Sequence, residues 1–425
     1  MSRLSEMIKK LCPNGVEYKK LGEIFDLRNG YTPSKTNENF WEGGNIPWFR
    51  MEDIRANGRI LNDSIQHVSA TAVKGELFPA NSIIVATSAT IGEHALITVP
   101  YLANQRFTAL MLKKEFSDRL LPMFIYYYCF RLDEWCLNNT NVSSFSSVDM
   151  VRFRQFKFPL PPLEIQREIV QVLDNFANLT AELTAELAKR KKQYEHYRDM
   201  LLNFTGGGRY DKFGVESGEF RVEWKRLGEV IMSLNTGLNP RRFFRLNTDD
   251  ATNYYVTIRE MHGGRIEFSE KTDRINDEAL RLCNNRSNLE VGDVLFSGTG
   301  TIGEMVVIDK TPRNWNIKEG VYAIKPNQSM IMPRYLRYIL TSGGIRRSYL
   351  SKVAGGTVKS ISMSDLKDIK IPLPPLEEQA AIVSLLDKFD SLCNSLTEGL
   401  PAEIALRKKQ YEYYRDKLLS FKEAS

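Results

Sequence analysis

The segment that decides the fold is KFPLPPLEIQ at residues 157–166, because a close copy of it, KIPLPPLEEQ, occurs at residues 370–379. The likeness continues into the following sequence, where LDNF at residues 173–176 matches LDKF at residues 386–389. Each proline run favours an extended chain and ends the domain before it. The sequence is therefore predicted to form two tandem halves that close with the same block.

A second matched block follows each proline segment. The sequence RKKQYEHYRD at residues 190–199 pairs with RKKQYEYYRD at residues 407–416. Apolar residues before these blocks recur at spacings of three, four and seven, which is typical of a helix with one apolar face. Residues 163–204 are predicted to form a helix of about 60 Å. Residues 376–421 should form a second helix, which the GLP sequence at residues 399–401 should kink or interrupt.

A helix of this length cannot bury its apolar stripe alone, and its natural partner is the other copy, packed against it as an antiparallel coiled coil. The residues expected to form this spacer are Leu173, Phe176, Leu183, Leu187, Tyr194, Tyr197, Leu386, Phe389, Tyr411 and Tyr414.

The remainder of each half mixes short β-branched runs with turns and one helical stretch, which predicts an α+β domain. The predicted fold class is α+β, with two α+β domains in tandem, separated by two long helices that pack as an antiparallel coiled coil with pseudo-twofold symmetry. The first variable domain is placed at residues 1–156 and its helical spacer at 157–204. The second variable domain is placed at residues 205–369 and its spacer at 370–425.

A glycine motif in the second half raises the alternative of nucleotide binding. The loop from Gly298 to Gly303, GTGTIG, has the G-x-G-x-x-G spacing of dinucleotide loops and of the cofactor loop of S-adenosylmethionine methyltransferases. The corresponding residues 87–92 read TSATIG and keep only the last glycine. A phosphate cradle needs the first two glycines for its tight turn and close backbone approach. The residues after both loops suit a strand, so a turn between strands is predicted.

Composition bounds the class of protein. The chain has 425 residues, 42% hydrophobic and 26% charged, with a net charge of +6 that permits a polyanionic partner. No apolar run resembles a signal peptide or a membrane span, so a cytoplasmic protein without a membrane partner is expected. The five cysteines and four histidines lack ligand spacing, which argues against a metal site. Neither variable domain contains a plausible catalytic set.

Loops of the variable domains combine basic, amide and hydroxyl side chains with aromatic residues. Arginine reads guanine, and asparagine or glutamine reads adenine, in the major groove of DNA. An ordinary polar loop remains the alternative at each position. The candidate DNA contacts in the first half are Tyr31, Thr32, Lys35, Arg50, Thr87, Ser88, Thr90, Gln105 and Arg106. Those in the second half are Thr236, Arg241, Arg242, Arg259, Thr299, Thr301, Lys318 and Lys359.

Two variable domains, each followed by a PLPPLxxQ block and a long helix ending in RKKQYxxYRDxLL, resemble the specificity subunit of type I restriction–modification enzymes. The resemblance covers nearly the whole chain. It implies that each variable domain is a target-recognition domain reading one half of a split site in double-stranded DNA. It also implies that the two helices set the gap between the half-sites.

The same resemblance implies that the helices dock two modification subunits, which methylate adenine, and that two restriction subunits can join them. The chain itself would then be non-catalytic and would hold no cofactor, with S-adenosylmethionine, ATP and Mg²⁺ on the partner subunits. Two other interpretations stay open. One is a methyltransferase that uses the loop from Gly298 to Gly303, and the other is a scaffold with the same spacer that does not bind DNA.

Overall fold

The computed structural model describes residues 2–141, 146–204, 222–355, 358–394 and 399–424. The chain divides into two compact units. Unit 1 comprises Met1–Ala181 and Leu406–Ser425, and unit 2 comprises Glu182–Ala405. Each unit thus combines one variable domain with parts of the long helices.

The elements of unit 1 begin with the helices α1 Ser2–Leu11, α2 Leu21–Ile24, α3 Met51–Asn57, α4 Pro122–Asn138 and α5 Met150–Phe153, and with the start of α6, Leu163–Leu201. Its strands are β1 Tyr18–Lys20, β2 Phe25–Asn29, β3 Ile46–Phe49, β4 Ile60–Leu61, β5 His67–Val68, β6 Ser82–Ala86, β7 His94–Ile97, β8 Leu102–Ala103, β9 Phe107–Leu112, β10 Thr140–Asn141, β11 Ser147–Val148 and β12 Lys157–Pro159.

The elements of unit 2 include the strands β13 Glu223–Arg226, β14 Ile231–Thr236, β15 Asn253–Val256, β16 Met261–His262, β17 Arg265–Ile266, β18 Arg274–Ile275, β19 Val294–Ser297, β20 Met305–Val307, β21 Trp315–Ile317, β22 Val321–Pro326 and β23 Lys370–Leu373. Its helices are α7 Pro240–Phe243, α8 Asp277–Ser287, α9 Pro333–Thr341, α10 Gly343–Leu350, α11 Met363–Lys367 and α12 Leu376–Asn394, and α13 Gly399–Leu418 begins in it.

The two variable domains share most of their sheet topology although their sequences differ; the larger sheet of unit 1 has one further edge strand, β4. Unit 1 contains a five-stranded sheet of order β2-β9-β6-β7-β4, and unit 2 a four-stranded sheet of order β14-β22-β19-β20. Each also contains a three-stranded sheet, β5-β3-β8 in one and β18-β15-β21 in the other. The entry and exit strands pair in both, as β1 with β12 and β13 with β23. The duplication seen in the spacer sequences therefore extends through the domains.

The larger sheet of unit 1 is buried on both faces, which explains why its central strand β6 is apolar almost throughout. Ile83 and Val85 point into a core that contains helix α4 and the start of α6. Ile84 and Ala86 point into a second core that contains the three-stranded sheet. The three-stranded sheet thus packs against one face of the larger sheet.

A buried glutamine explains the final letter of the PLPPLxxQ block. Gln166 is fully buried and accepts from the Leu121 amide at 2.9 Å, where α4 begins, while its Nε2 donates to the Arg119 and Pro161 carbonyls, each at 2.7 Å. Gln379 repeats the arrangement at the start of α9, where its Oε1 accepts from the Met332 amide at 2.8 Å. One side chain therefore satisfies three backbone groups and joins each spacer helix to its domain.

Replacing this glutamine should destabilise unit 1. In Gln166→Leu the Leu121 amide and two carbonyls lose their buried partner, which should lower the free energy of unfolding by about 2–4 kcal/mol. Thermal or urea unfolding of the purified chain measures this effect. Gln171→Leu, at an exposed position of the same helix, is the matched control and should leave stability nearly unchanged. Equal stability of the two variants would contradict the assignment.

The first spacer helix confirms the sequence prediction closely, since α6 runs from Leu163 to Leu201. In the second copy α12 ends at Asn394 and α13 begins at Gly399. Gly399 is the glycine of the GLP sequence, and its φ of +73° lies in the left-handed region that favours glycine. Residues 395–398 lie outside the described part of the chain. Among the helices that the structure describes, none combines the length and apolarity needed to cross a membrane.

Helix packing is visible within each unit by itself. In unit 1 the rings of Phe176 and Tyr414 stack with centroids 5.2 Å apart. In unit 2 Tyr197 stacks on Phe389 at 5.8 Å, and Tyr194, one turn earlier on α6, interacts with Asp390 and Cys393, later on α12. The two helices of unit 2 are therefore antiparallel.

The predicted spacer residues differ in how deeply they are buried. Leu173, Leu386 and Tyr194 are buried. The half-buried members are Phe176, Leu183, Leu187, Tyr197, Phe389, Tyr411 and Tyr414.

Candidate nucleic-acid interface

The candidate interface of unit 1 forms where two parallel strands end side by side. Strands β3 and β8 pair in parallel, with Phe49 opposite Ala103. Residues 50–52 continue from the first strand and residues 104–106 from the second. The loop after β2 crosses both, and its Gly30 lies so close to the Ala103 and Asn104 carbonyls that a Cβ atom there would overlap them. Glycine is needed at that crossing for this reason.

A cavity of about 500 Å³ opens at these strand ends. We call it the first cavity. The residues that line it are Thr32, Lys35, Trp41, Trp48, Arg50, Glu52, Gln66, Asn104, Gln105 and Arg106. Five of the predicted DNA contacts therefore converge here from three separate segments. Three cations and one carboxylate give the first cavity a net positive charge, which suits a phosphate-bearing partner.

Aromatic packing holds the first cavity in shape. Trp41 and Trp48 meet edge to face at 5.0 Å, and the Arg50 guanidinium lies 5.4 Å from the centre of the Trp48 ring. The Trp48 indole donates to the Tyr31 carbonyl at 3.0 Å. The Tyr31 hydroxyl in turn donates to the Ala72 carbonyl and accepts from the Lys74 amide. Tyr31 thus positions the loop, with its hydroxyl already occupied.

Unit 2 builds the same arrangement from different residues. Strands β15 and β21 pair in parallel with Val256 opposite Ile317, and Gly237 makes the close crossing that Gly30 makes in unit 1. The second cavity, of about 360 Å³, is lined by Thr257, Ile258, Arg259, Thr299, Lys318, Glu319, Gly320 and Val321. Arg259, Thr299 and Lys318 were predicted as DNA contacts, and Arg259 also pairs with Asp273 at 2.8 Å.

Two predicted contacts are buried and hydrogen-bonded within the protein. Thr87 is buried and its hydroxyl bonds that of Thr108 at 2.9 Å. Thr236 is also buried, and its hydroxyl donates to the Val321 carbonyl at 3.4 Å and accepts from the Gly320 amide at 3.3 Å. Loop composition alone could not show which threonines point inward.

The other candidates lie outside the lining of these two cavities. Thr301 is exposed in the turn between β19 and β20, and Lys359, also exposed, accepts from the Gly300 amide of that turn at its carbonyl. Ser88 and Thr90 are half-buried in the turn between β6 and β7. Arg242 is exposed on α7, and the side chain of Arg241 lies outside the described part of the chain.

The glycine motif is a hairpin turn, as its context predicted. Strands β19 and β20, on either side of it, pair antiparallel. The amides of Gly298, Gly300 and Gly303 donate to the carbonyls of Gly320, Lys359 and Ser297 at 2.8, 2.9 and 3.0 Å. The three glycine amides are therefore used within the protein. The glycine amides are thus not free to bind a phosphate in the manner of a dinucleotide loop.

The first unit makes the same turn with alanine. Ala89 has a φ of +64° where Gly300 has +79°, and Gly92 and Gly303 have +88° and +95°. An alanine in this left-handed region costs about 1–2 kcal/mol. The conformation is therefore set by the hairpin and does not require the full glycine pattern.

Gly300→Ala tests the loop directly, because nothing lies within 4 Å of the added Cβ. We expect the variant to fold with a loss of about 1–2 kcal/mol and to leave the S-adenosylmethionine affinity of the assembled complex unchanged. The reciprocal Ala89→Gly should gain a similar amount of stability. Calorimetric titration of the cofactor is the measurement, and a large loss of affinity in a complex that still assembles would refute this interpretation.

Several residues of the cavities escaped the sequence prediction. Trp41 and Glu52 line the first cavity, and Glu319 lines the second. Base-reading chemistry favours arginine, amide and hydroxyl side chains, so the carboxylates were passed over. The signal that could have found them is their place directly after an apolar strand.

Comparison with known proteins agrees with this duplicated architecture. The profile described as "Type I restriction modification DNA specificity domain" matches the chain twice, at residues 13–190 and 221–406. The chain belongs to this family. It is a type I specificity subunit with two tandem specificity domains.

Relatives support the assignment over most of the chain. The specificity subunit is 42% identical to the EcoprrI specificity subunit of Escherichia coli over 413 residues, covering 94% of this chain and 93% of the relative. It is 35% identical to the EcoR124I/EcoR124II specificity subunit of Escherichia coli over 320 residues, 72% of each chain.

A solved structure confirms the fold of the specificity subunit. A chain from a study of "complex assembly and conformational transition of the type I R-M system" aligns with a TM-score of 0.63 at 18% identity, covering 96% of this chain and 98% of that one. The predicted tandem α+β organisation with long helices is therefore confirmed.

Proposed function

We propose that each specificity domain reads one half of a split site in double-stranded DNA. The observation that carries this proposal is the pair of cavities, each placed at the ends of equivalent parallel strands and each carrying cations, yet lined by different side chains. Equivalent frames with unlike chemistry are what two independent half-site readers need. Their basic lining, joined by aromatic rings in the first cavity, supports contact with a nucleic acid rather than with a neutral surface.

The long helices are proposed to set the gap between the half-sites and to dock two modification subunits, which two restriction subunits can join. The RKK blocks support a contact role, because Lys191, Lys192, Lys408 and Lys409 are exposed. We propose that the chain performs no catalysis itself. In that arrangement S-adenosylmethionine, ATP and Mg²⁺ belong to the partner subunits, which agrees with the occupied amides of the glycine loop.

The test is a reconstitution with the modification subunit of the same host. We expect the complex to retard duplex DNA and to methylate adenines within one bipartite consensus, which sequencing of methylated adenines would read out. The chain alone should not bind S-adenosylmethionine. Cofactor binding by the isolated chain would favour the methyltransferase alternative, and a complex indifferent to DNA would favour the scaffold.

A further inference from the structure

The two cavities contain one pair of equivalent positions with unlike chemistry. In unit 1 the register sets Phe49 beside Ala103, and Gln105 is the second residue after that strand end. In unit 2 Val256 lies beside Ile317, and Glu319 is again the second residue. Both side chains are exposed at the rim of their cavities. The strand pairing therefore equates Gln105 with Glu319.

Both side chains are held by the same kind of contact. The Thr32 hydroxyl donates to Gln105 Oε1, and Asn239 Nδ2 donates to Glu319 Oε2 at 2.7 Å. Thr32 and Asn239 each stand directly before the proline of the loop that crosses the strand ends. The contact bridges 73 residues in unit 1 and 80 in unit 2. The second domain thus preserves the geometry of this clamp while changing the group that it presents.

The two presented groups recognise opposite partners. With its Oε1 engaged, Gln105 presents the two N–H donors of its amide, whereas the Glu319 carboxylate presents only acceptors. In the major groove, acceptors are guanine O6 and N7, adenine N7 and thymine O4, and the exocyclic amino donors are cytosine N4 and adenine N6. A donor at one position and an acceptor at the other therefore bind different groups of a base edge.

The charges around these positions are also rearranged. The capping turns equate Arg50 with Thr257 and Glu52 with Arg259, since Asp53 and Glu260 each accept from the first residue of its turn. The carboxylate of the first cavity, Glu52, therefore follows β3, the counterpart of β15. The carboxylate of the second cavity, Glu319, follows β21, the counterpart of β8. This difference argues that the cavities differ in what they read and not only in strength.

We propose that Gln105 and Glu319 are equivalent specificity-determining positions of the two half-site readers. Because Thr32 engages its Oε1, Gln105 cannot make the bidentate contact by which glutamine reads adenine. It donates to an acceptor on a base edge, with guanine, which carries the acceptors O6 and N7, as the preferred partner. Glu319 accepts from the exocyclic amino group of a cytosine or an adenine. This inference rests on the proposed function and adds the chemistry of one contact in each half-site.

The experiment uses Gln105→Glu and Glu319→Gln in the complex with the modification subunit. Both changes are nearly isosteric, and the amide oxygen introduced by Glu319→Gln could still accept from Asn239, so the clamp of unit 2 should persist. Matched controls are Gln171→Glu on α6 and Glu278→Gln on α8, at exposed positions away from the cavities. Each cavity variant should change or relax one position of one half of the methylated consensus and leave the other half intact. The controls should keep the parental consensus.

Competition binding gives a readout that does not need methylation. For Glu319→Gln, discrimination against the wrong base at the affected position should fall roughly tenfold or more. A duplex whose base lacks the exocyclic amino group should bind the parent complex about as weakly as the variant binds the parent site. Combining the variant with that duplex should add little further loss.

The outcomes separate this inference from the proposed function. A parental complex without any bipartite consensus would overturn the proposed function itself. A parental complex that works, with an unchanged consensus in both cavity variants, would overturn only the assignment of Gln105 and Glu319. A uniform loss of affinity for all duplexes, with discrimination preserved, would make them phosphate or scaffold contacts and would overturn it as well.

Discussion

Exchanging residues 21–156 for the equivalent segment of another specificity subunit is expected to replace one half of the recognised site and to leave the other half unchanged. The structure suggests these limits because β1 and β12 pair antiparallel, with Lys20 opposite Lys157. The chain thus enters and leaves the variable domain at adjacent positions. Its exchange leaves the pairing strands and the spacer helix in place.

Methylated-adenine mapping in a host that carries the chimera and the modification subunit would measure this result. Exchange of residues 227–369 is the reciprocal control, since β13 and β23 pair with Arg226 opposite Lys370. It should replace the other half-site only. A chimera that alters both half-sites would show that the domains do not read independently.

Inserting one more copy of TAEL into helix α6 is expected to lengthen the gap between half-sites by about one base pair. Residues 180–183 and 184–187 already repeat this sequence, at the point where the chain passes from unit 1 to unit 2. Four residues extend a helix by about 6 Å and rotate the chain beyond the insertion by about 40° in excess of a full turn. B-DNA advances about 3.4 Å for each base pair and turns about 35°.

The added helix rotation matches the turn of one base pair, whereas the added length matches nearly two. We expect the rotation to decide the new gap, because a DNA-reading element must still face the major groove. Deleting residues 184–187 is the reciprocal control and should shorten the gap by a similar amount. The bases of both half-sites should stay the same in both variants. An active insertion variant with an unaltered gap would exclude the helix as the determinant of spacing.

The sequence predicted the spacer helix, its interruption in the second copy and the hairpin nature of the glycine loop. These features depend on local chemistry: apolar spacing, a Gly-Leu-Pro sequence and β-branched residues beside a turn. The shared sheet topology of the two domains was beyond prediction at this detail, because the register that equates β3 with β15 is set by tertiary packing. The role of Gln166 was equally hidden, since its three partners lie in a loop, a helix start and the proline run.

The candidate site was predictable in composition but not in arrangement. Arg50, Gln105 and Thr32 were selected as polar loop residues, yet only the fold brings them to one cavity. Thr87 and Thr236 were selected on the same grounds and are buried. Glu319 was missed because a carboxylate is repelled by phosphates and was therefore not considered as a DNA contact. Its equivalence with Gln105 becomes visible only in the strand register.

The division of the chain has a consequence for how the protein is made. Unit 2 is contiguous, whereas unit 1 needs residues 406–425. Those last residues supply Leu418 and Leu419 to the core of unit 1, and Arg131 donates to the Asp416 carbonyl at 2.9 Å. During synthesis on the ribosome the later unit can therefore finish folding while the earlier one still waits for the final turns of α13. The nascent first domain would present an apolar surface while residues 182–405 are synthesised, and premature termination would leave that surface open to chaperones and proteases.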